Sequence, residues 1–197
     1  MELPVGEFIS QGLEKDVPQA ARTLLESNVK DEIKHDLALG FIVESHGADP
    51  IAEMEAIRLR DAWIQHPDHT ITKALVAERA IFFVLLPMFR FLGDAALRTV
   101  SADISRDEQI HVATNSLVCR ELGLVPSNSL DKLRKATISW VLQPLKTSPD
   151  KHLDKTFWLD ASDRLMYEGK APQFADTKAA RMPAFFEHAN TNLPQYA

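Results

Sequence analysis

The chain has 197 residues and a formal net charge of −6, with 45% hydrophobic and 25% charged residues. These proportions are typical of a folded globular protein and exclude an intrinsically disordered chain. Acidic and basic residues are mixed along the sequence, so we expect no nucleic-acid partner, because binding phosphates requires a basic surface. The length suits one domain, which is predicted to span 1–197.

The most apolar stretch, 80–93, is interrupted by Pro87 and Arg90. It is shorter than the roughly 20 apolar residues that a membrane-spanning helix needs, so we expect no membrane association. The first residues lack the basic and apolar pattern of a signal peptide. The single cysteine, Cys119, excludes an internal disulfide. Together these features predict a cytoplasmic protein.

Apolar residues recur at spacings of three and four through most of the chain, and no alternating strand pattern persists. Asp16 is the expected N-cap of a long second helix, while Gly93 and Asp94 separate the fourth helix from the fifth. The sequence therefore predicts an all-α fold. The bundle helices are expected within about 4–123, at 4–14, 16–45, 51–65, 71–92 and 94–123. Accessory helices are expected within 124–187, at about 128–143, 150–169 and 174–187, before a flexible tail at 188–197.

The pattern Asp-Glu-x-x-His occurs twice, in the second and fifth predicted helices. Because residues three apart on a helix are neighbours, Glu32 lies beside His35 and Glu108 lies beside His111. A lone glutamate is usually solvated, and a lone core histidine is usually hydrogen-bonded within the fold. Here the neighbours at helical spacing are apolar, and a carboxylate facing the core is costly unless it is paired or binds a metal. We predict that these four residues are metal ligands.

The fourth predicted helix carries another carboxylate on an apolar stripe. Glu78 lies as many residues before Gly93 as Glu108 lies after it. An antiparallel hairpin that turns at Gly93 and Asp94 would therefore bring the two carboxylates to the same height. Two Glu-x-x-His helices, combined with carboxylates from two other helices, form the ligand set of di-metal carboxylate bundles.

The remaining carboxylate of such a set would come from the first helix. Glu7 is predicted, because the residues after it break the helix and let the chain cross back to the second one. A simple hairpin count favours Glu2 instead, and Glu14 is a third candidate. Histidine and carboxylate ligands with open positions suit iron or manganese. The expected cofactor is therefore two metal ions, Fe/Fe or Mn/Fe, with Mn/Mn also compatible.

These residues make the chain resemble the ferritin-like di-iron carboxylate superfamily, and it is most similar to a shortened small, radical-generating subunit of class I ribonucleotide reductase. The similarity covers about 16–123 and is clearest at 102–118, which matches that family's Arg-Asp-Glu-x-x-His helix. The resemblance implies a ferritin-like bundle in which Asp107 hydrogen-bonds His35. It also implies an apolar pocket beside the metals, formed by Leu39, Phe82, Leu86 and Ile104.

The chain departs from that family in two respects. Members usually carry a radical tyrosine four residues after the first ligand histidine, and Leu39 occupies that position here. The chain is also shorter than typical members and lacks the N-terminal region that holds their relay tryptophan, which none of its three tryptophans matches. Its two tyrosines are Tyr167 and Tyr196.

The resemblance implies a di-metal oxidoreductase that activates oxygen, as the radical-generating small subunit of a minimal ribonucleotide reductase. The implied partners are oxygen, the large catalytic subunit and a second copy in a homodimer. One alternative is a stand-alone di-iron oxygenase or oxidase of a small organic substrate, which the missing tyrosine favours. Another is ferritin-like iron oxidation or storage, although the long C-terminal part argues against a ferritin-like shell.

Overall fold

Residues 3–15, 17–47 and 49–174 are described by the computed structural model. Within these ranges the chain is helical and forms no β-sheet, apart from an isolated bridge between Lys146 and Asp154. This confirms the predicted all-α class. The helices are α1 (Val5–Leu13), α2 (Gln19–His46), α3 (Pro50–Gln65), α4 (Thr70–Ala77), α5 (Phe83–Leu92), α6 (Ala95–Glu121), α7 (Asn128–Val141) and α8 (Lys155–Glu168). A π-helical turn, Glu78–Phe82, joins α4 to α5.

The helix boundaries follow the caps and breakers of the sequence. The Asp94 carboxylate accepts a hydrogen bond from the backbone N–H of Leu97 at 2.9 Å and begins α6, as predicted. Pro18 occupies the N-cap position of α2 rather than its first turn. Asp16, which was expected to cap this helix, lies outside the described residues, as do 175–187 and the tail at 188–197.

The bundle is built from α1, α2, α6 and the long helical segment formed by α4, the π turn and α5. Helix α2 packs on α6, α1 packs on both α2 and α4, and α5 packs on α6. Helices α7 and α8 pack against the π turn from outside, while α3 is joined to α7 by a hydrogen bond of 2.9 Å from Trp63 Nε1 to Thr137 Oγ1. No helix in the described ranges is long and apolar enough to cross a membrane. This packing directs one face of α2, α6 and the π turn to a shared interior.

Two helical glycines have opposite surroundings and give a matched test of the packing. Gly12 is buried at the contact between α1 and α4, where an added Cβ would overlap the side chain of Ile71. Gly40 lies within α2 and is exposed, and an added Cβ there would meet nothing within 4 Å. The close approach of α1 to α4 therefore depends on the absence of a side chain at Gly12.

We expect Gly12→Ala to lower the free energy of unfolding by about 1–3 kcal/mol, because the added methyl group displaces a fully buried isoleucine. Gly40→Ala should raise it by about 0.5–1 kcal/mol, because alanine costs less backbone entropy than glycine in a helix. Urea unfolding of both variants measures these changes. Equal effects of the two substitutions would contradict the packing of α1 on α4.

Candidate metal centre

The structure brings five of the predicted ligands together inside the bundle. Glu32 and His35 project from α2, Glu78 from the π turn, and Glu108 and His111 from α6. All five are buried. Four of them, Glu32, Glu78, Glu108 and His111, each offer one potential ligand atom, and these atoms all lie within 4.8 Å of one another. Such a group can hold a metal ion, and the equal spacing of Glu78 and Glu108 from Gly93 does place their carboxylates side by side.

Two carboxylates lie between the two histidine rings, whose centroids are 5.8 Å apart. Glu32 Oε1 is 3.7 Å from His35 Nδ1 and 3.0 Å from His111 Nδ1. Glu108 presents Oε1 to His35 Nδ1 at 3.4 Å and Oε2 to His111 Nδ1 at 3.6 Å. Both rings therefore direct Nδ1 toward the same pair of carboxylates.

The atoms at the centre of this cluster lack ordinary hydrogen-bond partners. Within the described ranges, no hydrogen bond reaches Glu32 Oε1, Glu78 Oε1, either Glu108 oxygen, or Nδ1 of His35 and His111. Buried polar atoms are normally satisfied, and leaving several unpaired in one place is costly. A bound metal would satisfy all of them at once, so these residues fit a metal of the type that carboxylates and imidazoles bind.

Each histidine is bordered by an aspartate from the opposite motif. Asp107 Oδ2 lies 3.1 Å from His35 Nε2, the contact that the resemblance implied. Because an ionised carboxylate only accepts, Nε2 carries the proton and directs Nδ1 of the ring at the carboxylates. Asp31 Oδ2 lies 3.7 Å from His111 Nε2. The sequence analysis did not select Asp31, although it precedes Glu32 just as Asp107 precedes Glu108.

Asn115 is a second residue that the sequence analysis missed. It is fully buried and its Nδ2 donates to Glu78 Oε2 at 2.8 Å. This bond uses one oxygen of Glu78 and leaves the other free to face the cluster. The available signal was helical spacing, since Asn115 lies one turn after His111 on the same face of α6.

The surroundings shift the pKa values of both histidines in the same direction. Burial lowers the pKa of His35, but the nearby carboxylates of Glu108, Glu32 and Asp107 outweigh it and raise the pKa to about 10. Burial likewise lowers the pKa of His111, and Glu108 and Glu32 raise it to about 10. Without a metal, positive charge on the two imidazoles compensates the buried carboxylates.

The pKa values of Glu78 and Glu108 shift in opposite directions. Burial raises the pKa of Glu78 well above its usual range, and the neighbouring Glu108 and Glu32 raise it further. Burial also raises the pKa of Glu108, but His111 and His35 outweigh this effect and lower it. Glu78 therefore holds a proton more readily than Glu108 when no cation lies nearby.

The structure does not place Glu7 in this cluster. The buried face of α1 consists of Val5, Phe8, Ile9 and Gly12, and Glu7 is on the opposite, exposed face. Glu14 is exposed as well, and Glu2 lies outside the described residues. Where α1 passes α2 it presents Gly6, at which an added Cβ would lie 3.2 Å from Glu32 Cβ. The expectation of a Glu7 ligand overlooked that the apolar residues of α1 set which side faces the bundle.

The residues expected to form an apolar pocket differ in burial. Leu86 and Ile104 are buried, whereas Leu39 and Phe82 are half-buried. Tyr167 is exposed on α8 and donates to Asp131 Oδ2 at 2.6 Å. Tyr196 lies outside the described residues. The residue four positions after His35 is thus a partly covered leucine without a phenol group.

Comparison with known proteins gives no relative: no protein-family model, curated protein or solved structure matches the chain. The inference of function therefore depends on the site itself.

We expect Glu108→Ala to abolish metal binding, because Glu108 faces both histidines and no other carboxylate occupies its place. Glu121→Ala, at an exposed position of the same helix, is the control and should bind metal as the wild type does. Metal content after dialysis, measured by elemental analysis, checks both variants. Unchanged metal content in Glu108→Ala would rule out the proposed ligand.

Metal binding should strengthen as pH rises from about 6 to about 8, because each ligand must lose its proton before it binds a cation. The raised pKa values of His35, His111 and Glu78 mean that all three tend to hold protons in the metal-free protein. Titration calorimetry in buffers of different ionisation enthalpy measures the protons released. A pH-independent affinity without proton release would contradict this account.

Proposed function

We propose that the buried cluster is a dinuclear metal centre in a ferritin-like bundle. The observation that carries this proposal is that Glu32 and Glu108 each face Nδ1 of both His35 and His111. Glu108 presents a different oxygen to each histidine and could bind one cation through each, whereas Glu32 presents Oε1 to both. Two histidines and three carboxylates therefore suit two cations better than one, and iron or manganese fits these donors.

The two halves of this centre have unequal ligand sets. Glu78 Oε1 lies 3.9 Å from His111 Nδ1, which supports a terminal carboxylate on the His111 side. The carboxylates within 4.0 Å of the His35 ring, among the described residues, are those of Glu32, Asp107 and Glu108. Among the described residues, α1 presents Gly6 and no carboxylate where it passes Glu32, so in this part of the chain the His35 side would have no terminal carboxylate. It would therefore have more open positions for water or oxygen.

The function that this arrangement supports best is oxygen activation, as the radical-generating small subunit of a minimal ribonucleotide reductase. Iron or manganese with open positions supplies the capacity to reduce oxygen. The implied metals are Fe/Fe or Mn/Fe, with Mn/Mn compatible. Asp107 would orient His35, Asn115 would fix one oxygen of Glu78, and burial of all five ligands would exclude bulk water. The large catalytic subunit would carry the nucleotide chemistry, and a cytoplasmic location stays a prediction.

A specific observation also favours a second function, a stand-alone oxygenase or oxidase of a small organic substrate. Leu39 has no phenol group, so this position cannot store an oxidising equivalent as a tyrosyl radical. The tyrosine among the described residues is Tyr167, and its hydroxyl donates a hydrogen bond to Asp131. An enzyme that uses each oxidising equivalent at once on a bound substrate needs no such store.

The decisive experiment loads the full chain with Fe(II), alone or with Mn(II), exposes it to oxygen and adds the cognate large subunit with a nucleotide. Reduction of the nucleotide, lost in His111→Ala and retained in His46→Ala, is the expected result. His46 lies at the exposed end of α2, so its replacement controls for loss of a histidine. No reduction with any cognate large subunit would contradict the reductase proposal, and substrate-dependent oxygen uptake without a partner would establish the oxygenase.

We also propose that the chain forms a homodimer through the exposed side of α2. Ile33, Leu37 and Phe41 recur every four residues there, and each is more than 60% exposed. A two-fold axis passing beside Leu37 would place Ile33 against the partner's Phe41, so the stripe complements a second copy of itself.

Leu37→Lys should convert the dimer to a monomer, because two lysines would meet at the two-fold axis. Asp36→Lys, an exposed charge change on another face of the same helix, should leave the dimer intact. Sedimentation velocity measures the mass of each. A dimer that survives Leu37→Lys, or a large shell in the wild type, would exclude this interface.

A further inference from the structure

The π turn that carries Glu78 is held from outside by a buried hydrogen-bond network. In this turn the backbone N–H of Phe83 donates to the carbonyl of Glu78, five residues back. The π turn thus contains one residue more than an α-helical turn, which shifts the backbone hydrogen-bond pattern. Such turns inside α-helices are rare and are frequently found at functional sites. The structure shows a side chain that donates directly to this turn: Ser162 Oγ on α8 donates to the carbonyl of Ala80 at 2.6 Å.

Arg134 on α7 determines how that hydroxyl is oriented. Its Nη1 donates to Ser162 Oγ at 2.6 Å, and both side chains are fully buried. A guanidinium can only donate, so the Ser162 oxygen must accept from it and direct its single proton at Ala80. Arg134 is itself held by Asp163 Oδ1 at 2.7 Å and by Asp131 Oδ1 at 2.8 Å. The direction of every bond in the network is thus set.

A second contact joins the same two parts of the molecule. Arg79, the residue after Glu78, lies over the end of α8, where an added Cβ at Gly169 would overlap its guanidinium. Gly169 has a φ of +71°, which favours glycine and ends the helix. Helix α8 and the glycine at its end therefore contact the π turn at the two residues that follow Glu78, namely Arg79 and Ala80.

We propose that Ser162 and Arg134 are positioning residues that hold the π turn so that the free oxygen of Glu78 faces the metal centre. The side chain of Glu78 is fixed by Asn115, and its backbone is fixed two residues later by Ser162. Helices α7 and α8 contribute no ligand, yet through this network they set the His111 side of the site. This inference rests on the proposed metal centre for its effect on binding, but not for its effect on the π turn.

The test compares Ser162→Ala with Thr137→Val in the full chain. Thr137 is also fully buried on α7, and its replacement also removes two hydrogen bonds. These bonds join it to Trp63 and to the Leu133 carbonyl, and neither of them reaches the π turn. Manganese(II) affinity, measured from the paramagnetic resonance of the free ion, should fall about 10- to 100-fold in Ser162→Ala. Thr137→Val should change it by less than about threefold, even when its thermal stability falls equally.

A milder variant covers the case in which Ser162→Ala does not fold. Asp163 is half-exposed and contacts the network through Arg134 Nη2, so Asp163→Ala should weaken manganese affinity in the same direction by a smaller factor. Wild-type affinity in both Ser162→Ala and Asp163→Ala, or in Asp163→Ala when it alone folds, would overturn the proposal.

Amide hydrogen exchange of the metal-free protein separates this inference from the proposed function. Faster exchange at 78–84 in Ser162→Ala than in Thr137→Val is expected from loosening of the π turn, whether or not metal binds. Absence of manganese binding by the wild type would contradict the metal centre alone. Unchanged exchange at 78–84 in Ser162→Ala and in Asp163→Ala would overturn the positioning role even if the wild type binds metal.

Discussion

The structure depends on the burial of three carboxylates and two imidazoles whose oxygen and nitrogen atoms face one another. Burial of one such carboxylate alone would cost several kcal/mol, and the cost is reduced only when opposite charges or a cation lie close by. The raised histidine pKa values, about 10 for both, express the same constraint, because the carboxylates hold protons on the imidazoles. Helices α2 and α6 and the π turn are therefore tied to one another by charge as well as by apolar packing.

A repeated motif on two antiparallel helices accounts for most of the geometry. Asp107 lies beside His35, and Asp31 lies beside His111, as expected when two equal segments pass each other in opposite directions. This arrangement gives a near two-fold pair of histidines, with two glutamates between them. Two features break the symmetry: Glu78 is near His111, whereas α1 contributes Gly6, without a side chain, near Glu32. Among the described residues, the surroundings of the two histidines consequently differ, because Glu78 lies near His111.

Much of this could be predicted from the sequence, because the relevant information is local. Helical spacing identifies Glu32 with His35 and Glu108 with His111 as pairs on core faces, and the breaker at Gly93 sets the register of the α5–α6 hairpin. The prediction of Glu7 is wrong because the buried apolar residues of α1 turn Glu7 outward. Asp31 and Asn115 were overlooked although their spacing to His35 and His111 was readable.

The sequence by itself determined the all-α class, the Asp94 cap of α6 and the pairing of Glu and His within each motif, since each of these depends on residues within a few turns of one another. The tertiary structure alone decided that Asp31 lies beside His111 and that Glu78 lies 3.9 Å from a His111 nitrogen. It also decided that Ser162 and Arg134 reach the π turn, because residues separated by 28 positions or more meet there. Such contacts depend on how helices cross in space. No local pattern encodes that crossing, because the packing of many apolar side chains sets it jointly.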